Sequence, residues 1–406
     1  MIVKTRFAPS PTGALHIGTA RTAYFNWLYA RKNHGHFEIR IEDTDKERNQ
    51  SPAELLEIIE WLGFDHDRLS YQSANIDRHK HIAFQLAQTG AAYTDEGAIR
   101  FKVPKDQTLL LQDHVQGSVS KQSKDLEDFV LLRSDGTPTY ILASMVDDFY
   151  DEITHVIRGV DHLTNTFKQL LLYQALKRQP PQFTHIPLIT DLDKQKLSKR
   201  RGALSIQELR EDGYLQEGIC NTLLRLGWSY ENEEIVPKSK ALEIFDLKDL
   251  NKSPACFDPD KLKGLNAYYM RNDEQLWGKT AELRGDWNES ERQRAQLLLH
   301  ETAKRTVTLK ELVEALNYCR DDFRTDYQIN LPGLDRILNE CEFTEERLNT
   351  ELRKFASEKG LNFGKDIAKP LRVVLTGKET SPSLFYVMEG LGKEICLERV
   401  RAAMQS

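Results

Sequence analysis

Residues 2–7 alternate apolar and polar side chains, then run into Ala8-Pro9-Ser10-Pro11-Thr12-Gly13. Residues 19–32 follow with Tyr24, Phe25, Trp27, Leu28 and Ala30 and no breaker, which predicts a strand, a stiffened loop and a helix. His34-Gly35 ends the helix, as glycine does at helix C-termini. Residues 37–41 read as a second strand, and the acidic turn Glu42-Asp43-Thr44-Asp45 closes it. Ser51-Pro52 supplies a cap and an N1 proline for a helix that runs to Trp61 and stops at Gly63. Strand, helix, strand, helix at this spacing predicts a parallel α/β sheet. In such sheets ligands sit at the carboxyl ends of the strands, where the loop after Phe7 falls.

Residues 75–134 change character, with strand-like pieces at 99–103 and 129–132 between polar turns. They read as a small insertion between two halves of the sheet. The α/β pattern resumes at Thr139, with segments 140–146 and 155–158, a helix over 167–176 and a strand over 185–190. After Gly202 the pattern is helical almost to the end, including one long helical region over 289–317 and breaks at 331–333 and 377–382. The fold class is therefore α/β, a parallel-sheet domain split by a small insertion and followed by a mainly α-helical C-terminal half. With 406 residues, two to four domains are expected.

Composition narrows the classes of function. The chain is 40% hydrophobic and 29% charged, in the range of globular proteins, and no apolar run approaches a membrane span. No signal-like stretch opens it, so a cytoplasmic protein is expected. The five cysteines, Cys220, Cys256, Cys319, Cys341 and Cys396, are widely spaced. They read as buried free thiols, and no zinc site or other metal site is expected. A net charge of −6 means that any nucleic-acid contact must be a local basic face.

Two segments carry the chemistry. His16 sits where a helix starts, so its ring and the helix N-terminus can both face a phosphate, while Gly18 leaves room for a flat ring. Far downstream, Lys196-Leu197-Ser198-Lys199-Arg200 offers ammonium groups around a hydroxyl. A lone charge run is usually a solvated face, but paired with His16 it suits the triphosphate of ATP. It is not a Walker loop, because the GxxxxGK[ST] pattern does not occur. Arg6 and Arg158 end strands in the two halves of the sheet, where a guanidinium can grip a carboxylate or form a structural ion pair. Glu42 can hold an ammonium group. Asp43 and Asp45 read as turn and capping acids, His34, His36, His79 and His81 as solvated, and Asp147-Asp148 as a turn or as acids that meet a metal or a ribose.

Arg6-Phe7-Ala8-Pro9-Ser10-Pro11-Thr12-Gly13 with His16-Ile17-Gly18-Thr19 resembles the first signature of class I aminoacyl-tRNA synthetases in its glutamyl form, and Lys196-Leu197-Ser198-Lys199-Arg200 resembles the second. Arg40-Ile41-Glu42-Asp43-Thr44-Asp45, the block from Leu132 to Tyr140, Thr154-His155-Val156-Ile157-Arg158-Gly159, Leu226-Gly227-Trp228-Ser229, Ser253-Pro254-Ala255-Cys256-Phe257 and Lys369-Pro370-Leu371-Arg372 extend the similarity over nearly the whole chain. The related glutaminyl enzymes carry a Pro-Glu-Pro-Asn-Gly type of lead-in, so Ser10-Pro11-Thr12 favours the glutamyl form.

The resemblance implies a Rossmann-type catalytic domain over residues 1–74 and 135–190. It implies an acceptor-end-binding insertion over 75–134, a stem-contact region over 191–288 and a helical anticodon-binding domain over 289–406. It implies a monomer that activates L-glutamate with ATP and Mg2+ and charges tRNA(Glu), with tRNA(Gln) as a further acceptor. Enzymes of this family generally need tRNA present for activation. His16, Lys196 and Lys199 take catalytic roles by this resemblance, with Gly18, Thr19 and Ser198 joining His16 and Lys199 around ATP. Arg6 matches the position facing the substrate's side-chain carboxylate and Glu42 the acid facing its ammonium, while Ala8, Ser10, Tyr140, Ser144 and Arg158 line the same pocket.

Three departures stand out. Thr19 replaces a second histidine common in class I enzymes, and Ser144 replaces a larger amide residue. The segment between Ser73 and Ile99 is short and free of the zinc-binding cysteines often found there. Two other readings stay open: a paralogue specific for tRNA(Gln), and a non-catalytic tRNA-binding protein, the latter disfavoured by intact His16, Lys196 and Lys199.

Overall fold

The computed structural model describes residues 2–11, 13–44, 51–197 and 204–405. Two compact units emerge, one of residues 1–211 and 219–262, the other of residues 212–218 and 263–406.

The first unit begins with β1 (Lys4–Phe7), α1 (Ile17–Lys32), β2 (His36–Ile41), α2 (Ala53–Trp61) and β3 (Arg68–Tyr71). The strands pair in parallel in the order β1-β2-β3. Five of the six residues of β2 are buried, as expected for a strand covered on both faces. Helix α1 starts at Ile17, two residues before the sequence suggests, with His16 as its extended N-cap residue. It is buried nearly all round, and Tyr24 stacks on Phe64 at 5.0 Å. Its C-terminus turns on His34, at φ 50°, and not on the glycine. Gly35 is needed for another reason: a Cβ there would lie 2.2 Å from the Val3 carbonyl oxygen.

After α3 (Ile76–Gln88) come β4 (Ala92–Asp95), β5 (Ala98–Phe101), β6 (Thr108–Asp113), β7 (Gly117–Gln122) and β8 (Phe129–Leu132). Strands β4, β5 and β8 form an antiparallel sheet. The chain then gives α4 (Tyr140–Tyr150), β9 (His155–Gly159), α5 (Leu163–Ala175) and β10 (Gln182–Ile186). Strands β9 and β10 are parallel, and β10 also pairs with β6 at Phe183 and Asp113. The β6–β7 hairpin is thus built into the second half of the sheet.

Strand β9 runs beside β1. The Thr154 amide donates to the Lys4 carbonyl at 3.0 Å, and the Lys4 amide to Thr154 Oγ1 at 2.8 Å. Asn26 of α1 bridges the two strands, its backbone carbonyl accepting from Thr5 Oγ1 and its Nδ2 donating to the Ile157 carbonyl. The crevice between the carboxyl ends of β1 and β9 is where a doubly wound sheet takes its ligand.

Several expectations change. The single strand expected over 185–190 is two, β10 and then β11 (Ile189–Thr190), which pairs with β12 (Ala255–Cys256). Pro187 falls between β10 and β11 and has no N–H for a ladder. The expected helix over 289–317 is also divided, into Glu289–Ala303 and Leu309–Ala315. Thr308 caps the second piece by accepting from the Glu311 amide, and Thr306, Val307 and Thr308 are poor helix formers. The breaks at 331–333 and 377–382 are real, with Gly333 and Gly377 left-handed at helix ends.

Asp147 and Asp148 are not in a turn but buried in α4. His79 is not solvated: it is buried, with Nε2 hydrogen-bonded to Asp147 at 2.8 Å. Cys256 is exposed, whereas the other four thiols are buried and unpaired with one another. Burial pushes the Cys319 and Cys396 thiols up to about 12.

The second unit is helical. Its core packs Trp287, just before the helix Glu289–Ala303, with Leu298, Leu312, Leu348, Leu371, Val387 and Val400 from six helices. Asn288 and Glu291 form a reciprocal capping box at the head of Glu289–Ala303. No described helix is long and apolar enough to cross a membrane.

Candidate active site

A cavity of about 500 Å³ opens between the carboxyl ends of β1 and β9. Its wall includes Arg6, Ala8, Ser10, His16, Gly18, Thr19, Glu42, Tyr140, Arg158 and Lys196, ten of the residues singled out from the sequence. Ser144 is fully buried one helical turn beyond Tyr140 and is not part of that wall. Ser198 and Lys199 lie outside the described residues, as do Asp45 and Arg200.

Local chemistry explains each placement. Gly13 takes φ 103°, a backbone state that disfavours side chains, so the loop can turn and bring His16 to the head of α1. The first turn of α1 holds no acidic residue, and the helix N-terminus there favours an anion. The Glu42 amide donates to the Pro9 carbonyl at 2.9 Å, fixing the end of β2 beside that loop. The described residues on either side of positions 198–203 are tied to the cavity wall. The Leu197 amide donates to Ile189, His16 bridges to Ser205, and the Ile206 amide donates to Leu15. Lys196 Nζ lies 3.5 Å from Asp161 in an exposed pair that solvent weakens.

Under the cavity lies a buried charge cluster. Arg6 Nε donates to Asp148 at 2.9 Å and Arg40 Nη2 lies 2.8 Å from the same oxygen. Asp147 accepts from Gln72, Asn75 and His79, tying α3 to α4. Burial alone would raise the Asp148 carboxyl, but Arg6 and Arg40 outweigh it and hold it below the usual range. Arg6 therefore spends part of its charge on a structural partner.

Arg158 is different. It is 5% exposed and donates to Tyr140 Oη, Thr166 Oγ1 and Gln169 Oε1 at 3.3, 2.7 and 2.7 Å. Among the described residues no carboxylate forms a salt bridge with it. Burial accordingly pulls its pKa down. A buried guanidinium beside a cavity with only neutral direct partners is built to meet an anion from outside.

Glu42 shows the opposite bias. Burial pushes its carboxyl up to about 7, against the opposing pull of Arg40 and Arg6. Raised above its ordinary 4.5, this group contributes stability in full below that value and loses it as pH rises through about 7. Glu42→Gln should therefore melt at a higher temperature than the parent at pH 8 and at the same temperature at pH 4.5. The difference corresponds to about 3 kcal/mol. A variant no more stable than the parent at pH 8 would remove this account of Glu42.

Some cavity residues were not legible beforehand. Arg21, buried in α1, donates to the Pro187 and Leu226 carbonyls, and burial lowers it to about 9. The signal was an arginine in the first half of a helix whose other basic residues, Arg31 and Lys32, fall in its last turn. His162 packs on Tyr140 at 5.3 Å, and burial with nearby Arg158 lowers it to about 4.

Residues 2–98 and 95–264 match the family model for the catalytic domain of class I tRNA synthetases (E and Q), and residues 275–404 match an anticodon binding domain. The chain belongs to the class I tRNA synthetases of this glutamate and glutamine group. It is 40% identical to the Glutamate–tRNA ligase 2 of Neorickettsia sennetsu, with all of both chains aligned. It is 38% identical to the Glutamate–tRNA ligase of Thermodesulfovibrio yellowstonii, again over all of both chains. The solved glutamate tRNA ligase of Elizabethkingia meningosepticum, in complex with its amino acid, superposes with a TM-score of 0.87 at 28% identity over 100% of both chains. The buried cluster, Arg158 with no carboxylate in direct contact and the helix-head histidine thus belong to the catalytic unit of a synthetase.

Among the described residues no group of three or more His, Cys, Asp or Glu side chains could hold a metal ion. In the second unit, the basic residues of Glu289–Ala303 and its C-terminal end read in the sequence either as nucleic-acid backbone contacts or as a solvated face, and Arg294 is turned inward onto the Cys319 carbonyl and Asp321. Arg292, Lys304 and Arg305 are exposed.

Proposed function

We propose that this synthetase is a glutamate–tRNA ligase that joins L-glutamate to tRNA at the expense of ATP. The observation that carries the reading is Arg158, a buried cation without a carboxylate partner, facing a cavity whose wall also holds Glu42 and His16. Glutamate brings a side-chain carboxylate and an ammonium group to this pair of opposite biases. Its α-carboxylate oxygen attacks the α-phosphorus of ATP, the bond to the β-phosphate oxygen breaks, and pyrophosphate leaves. The ribose hydroxyl at the tRNA 3′ end then attacks the acyl carbon and AMP departs.

In this reading His16, Lys196 and Lys199 offset the charge that grows on the α-phosphate, helped by the N-terminus of α1. Ser198, Gly18 and Thr19 complete the ATP side, and Arg6, Ala8, Ser10 and Tyr140 the glutamate side, with Ser144 behind them. Mg2+ with ATP is held mainly by phosphates and water, which suits a wall without clustered acids. Residues 75–134 take the acceptor end, 191–288 the stem and 289–406 the anticodon, and the chain works as a monomer in the cytoplasm. Charge sorting rejects glutamine, since an amide cannot answer a buried guanidinium.

The test is pyrophosphate exchange with glutamate and ATP, with and without tRNA, followed by charging of tRNA(Glu) and tRNA(Gln) separately. Exchange that requires tRNA and charging of tRNA(Glu) are expected. Charging of tRNA(Gln) alone would make this the tRNA(Gln)-specific paralogue, and absence of exchange with either tRNA would end the enzyme reading.

A further inference from the structure

Arg158 has no direct carboxylate, yet its hydrogen bonds lead to one. Its Nη2 donates to Thr166 Oγ1 at 2.7 Å, and that oxygen lies 2.7 Å from His185 Nε2. His185 Nδ1 lies 2.6 Å from Asp113 Oδ2. Thr166 and His185 are fully buried and Asp113 is 6% exposed.

The proton directions follow from the chemistry. An ionised carboxylate only accepts, so His185 Nδ1 donates to Asp113. Burial pulls the His185 pKa down despite Asp113, so the ring is neutral and Nε2 accepts. The Thr166 proton then points to Nε2, the shorter of its two options, the other being the His162 carbonyl at 3.2 Å. Every hydrogen bond runs one way, from Arg158 to Thr166 to His185 to Asp113, and Arg158 Nε also makes a long direct contact of 3.5 Å to His185 Nε2.

The far end is fixed independently. Asp113 Oδ1 accepts from the amides of Val115 and Gln116, closing the turn of the β6–β7 hairpin, while Oδ2 accepts from the His185 amide. Burial would raise this carboxyl, but the bonds from His185 and the two turn amides hold it below the usual range.

We propose that Asp113, acting through His185 and Thr166, is the remote counter-charge that positions Arg158 for the substrate carboxylate. A carboxylate in direct contact would neutralise the guanidinium and compete with the substrate for it. Neutral Thr166, by the shorter bonds, and neutral His185 stand between Arg158 and Asp113, orient the guanidinium and leave its cavity-facing edge for the ligand. Asp113, His185 and Thr166 are positioning residues supplied by β6, β10 and α5, and none of them lines the cavity. The inference rests on the glutamate reading of the site.

The test uses the full chain in steady-state aminoacylation, with glutamate, ATP and tRNA varied in turn. Thr166→Val keeps the shape and removes the hydroxyl, Thr166→Ser restores the hydroxyl, and Asp113→Asn keeps an acceptor while removing the charge. Thr166→Val should raise the KM for glutamate at least about tenfold while the KM for ATP stays within about twofold. Thr166→Ser should restore glutamate affinity, and Asp113→Asn should shift KM for glutamate in the same direction as Thr166→Val. If the parent charges tRNA with glutamate but both changes leave that KM within about twofold, or raise the ATP and glutamate values equally, the relay is wrong. Loss of fold in both Thr166→Val and Asp113→Asn would equally reduce it to a structural tie. A parent that makes no glutamyl-tRNA removes the glutamate reading and the relay together.

Discussion

Arg158→Gln should lower kcat/KM for glutamate by roughly a hundred- to a thousandfold and leave the weak use of glutamine nearly unchanged. The two arginines of the cavity differ in how their charge is answered. Arg6 already meets Asp148 at 2.9 Å with both side chains 4% exposed, so its charge is largely answered inside the protein. Arg158 has only neutral direct partners. An incoming carboxylate therefore gains most from Arg158, and glutamine gains little. Glutamine at the substituted position can still donate to Thr166 or accept from a neighbour, which limits damage to the fold. Removing a buried cation that lacks a direct carboxylate also relieves desolvation. The check is steady-state charging with both amino acids, alongside thermal unfolding. An equal loss for glutamate and glutamine would assign Arg158 to the α-carboxylate and end its role in selectivity.

How far the site could be read from sequence depended on the range of the interactions. His16, Gly18 and Thr19 were legible because a local event places them: a glycine-dependent turn feeding a helix N-terminus. Glu42 was legible as the last position of a recognisable strand. Asp147 and Asp148 were misread because adjacent acids favour turns, whereas here Arg6, Arg40 and His79, far away in sequence, make a buried helical position tolerable for them. His79 was misread for the same reason, its partner being 68 positions away. Ser144 was carried to the glutamate pocket by resemblance alone, and it lies buried one helical turn beyond Tyr140, outside the cavity wall. The sheet followed the same rule. Parallel pairing of β1, β2 and β3 follows from strand–helix alternation, but the β6–β7 hairpin joins β10 through a contact 70 positions apart in sequence, Phe183 with Asp113, which no periodicity announces.

Lys199→Ala should reduce kcat by roughly a hundred- to a thousandfold while the Kd for tRNA changes by no more than about threefold. Lys199 itself lies outside the described residues, but its described neighbours in sequence are fixed at the cavity. Leu197 lines the cavity and is hydrogen-bonded to Ile189, and Ser205 is bridged to His16 at the head of α1. Leu197 and Ser205, described residues on either side of Lys199 in sequence, are thus held at the cavity whose wall includes the helix N-terminus that suits a phosphate. The ground-state triphosphate already has Mg2+ and the α1 N-terminus to answer its charge. What the attack adds is charge on the α-phosphate oxygens, and a lysine supplied from this segment acts on that increment. An interaction made mainly in the transition state appears in kcat and leaves binding of a distant partner alone. Lys196 offers a contrast within the same motif, because its ammonium pairs with Asp161 at 3.5 Å and stays largely exposed. Lys196→Ala should accordingly cost less than Lys199→Ala. Single-turnover adenylate formation and tRNA binding, measured on the same preparations, separate the terms. A Lys199→Ala loss confined to tRNA affinity would take this lysine out of the chemical step and make the segment a docking element for nucleic acid.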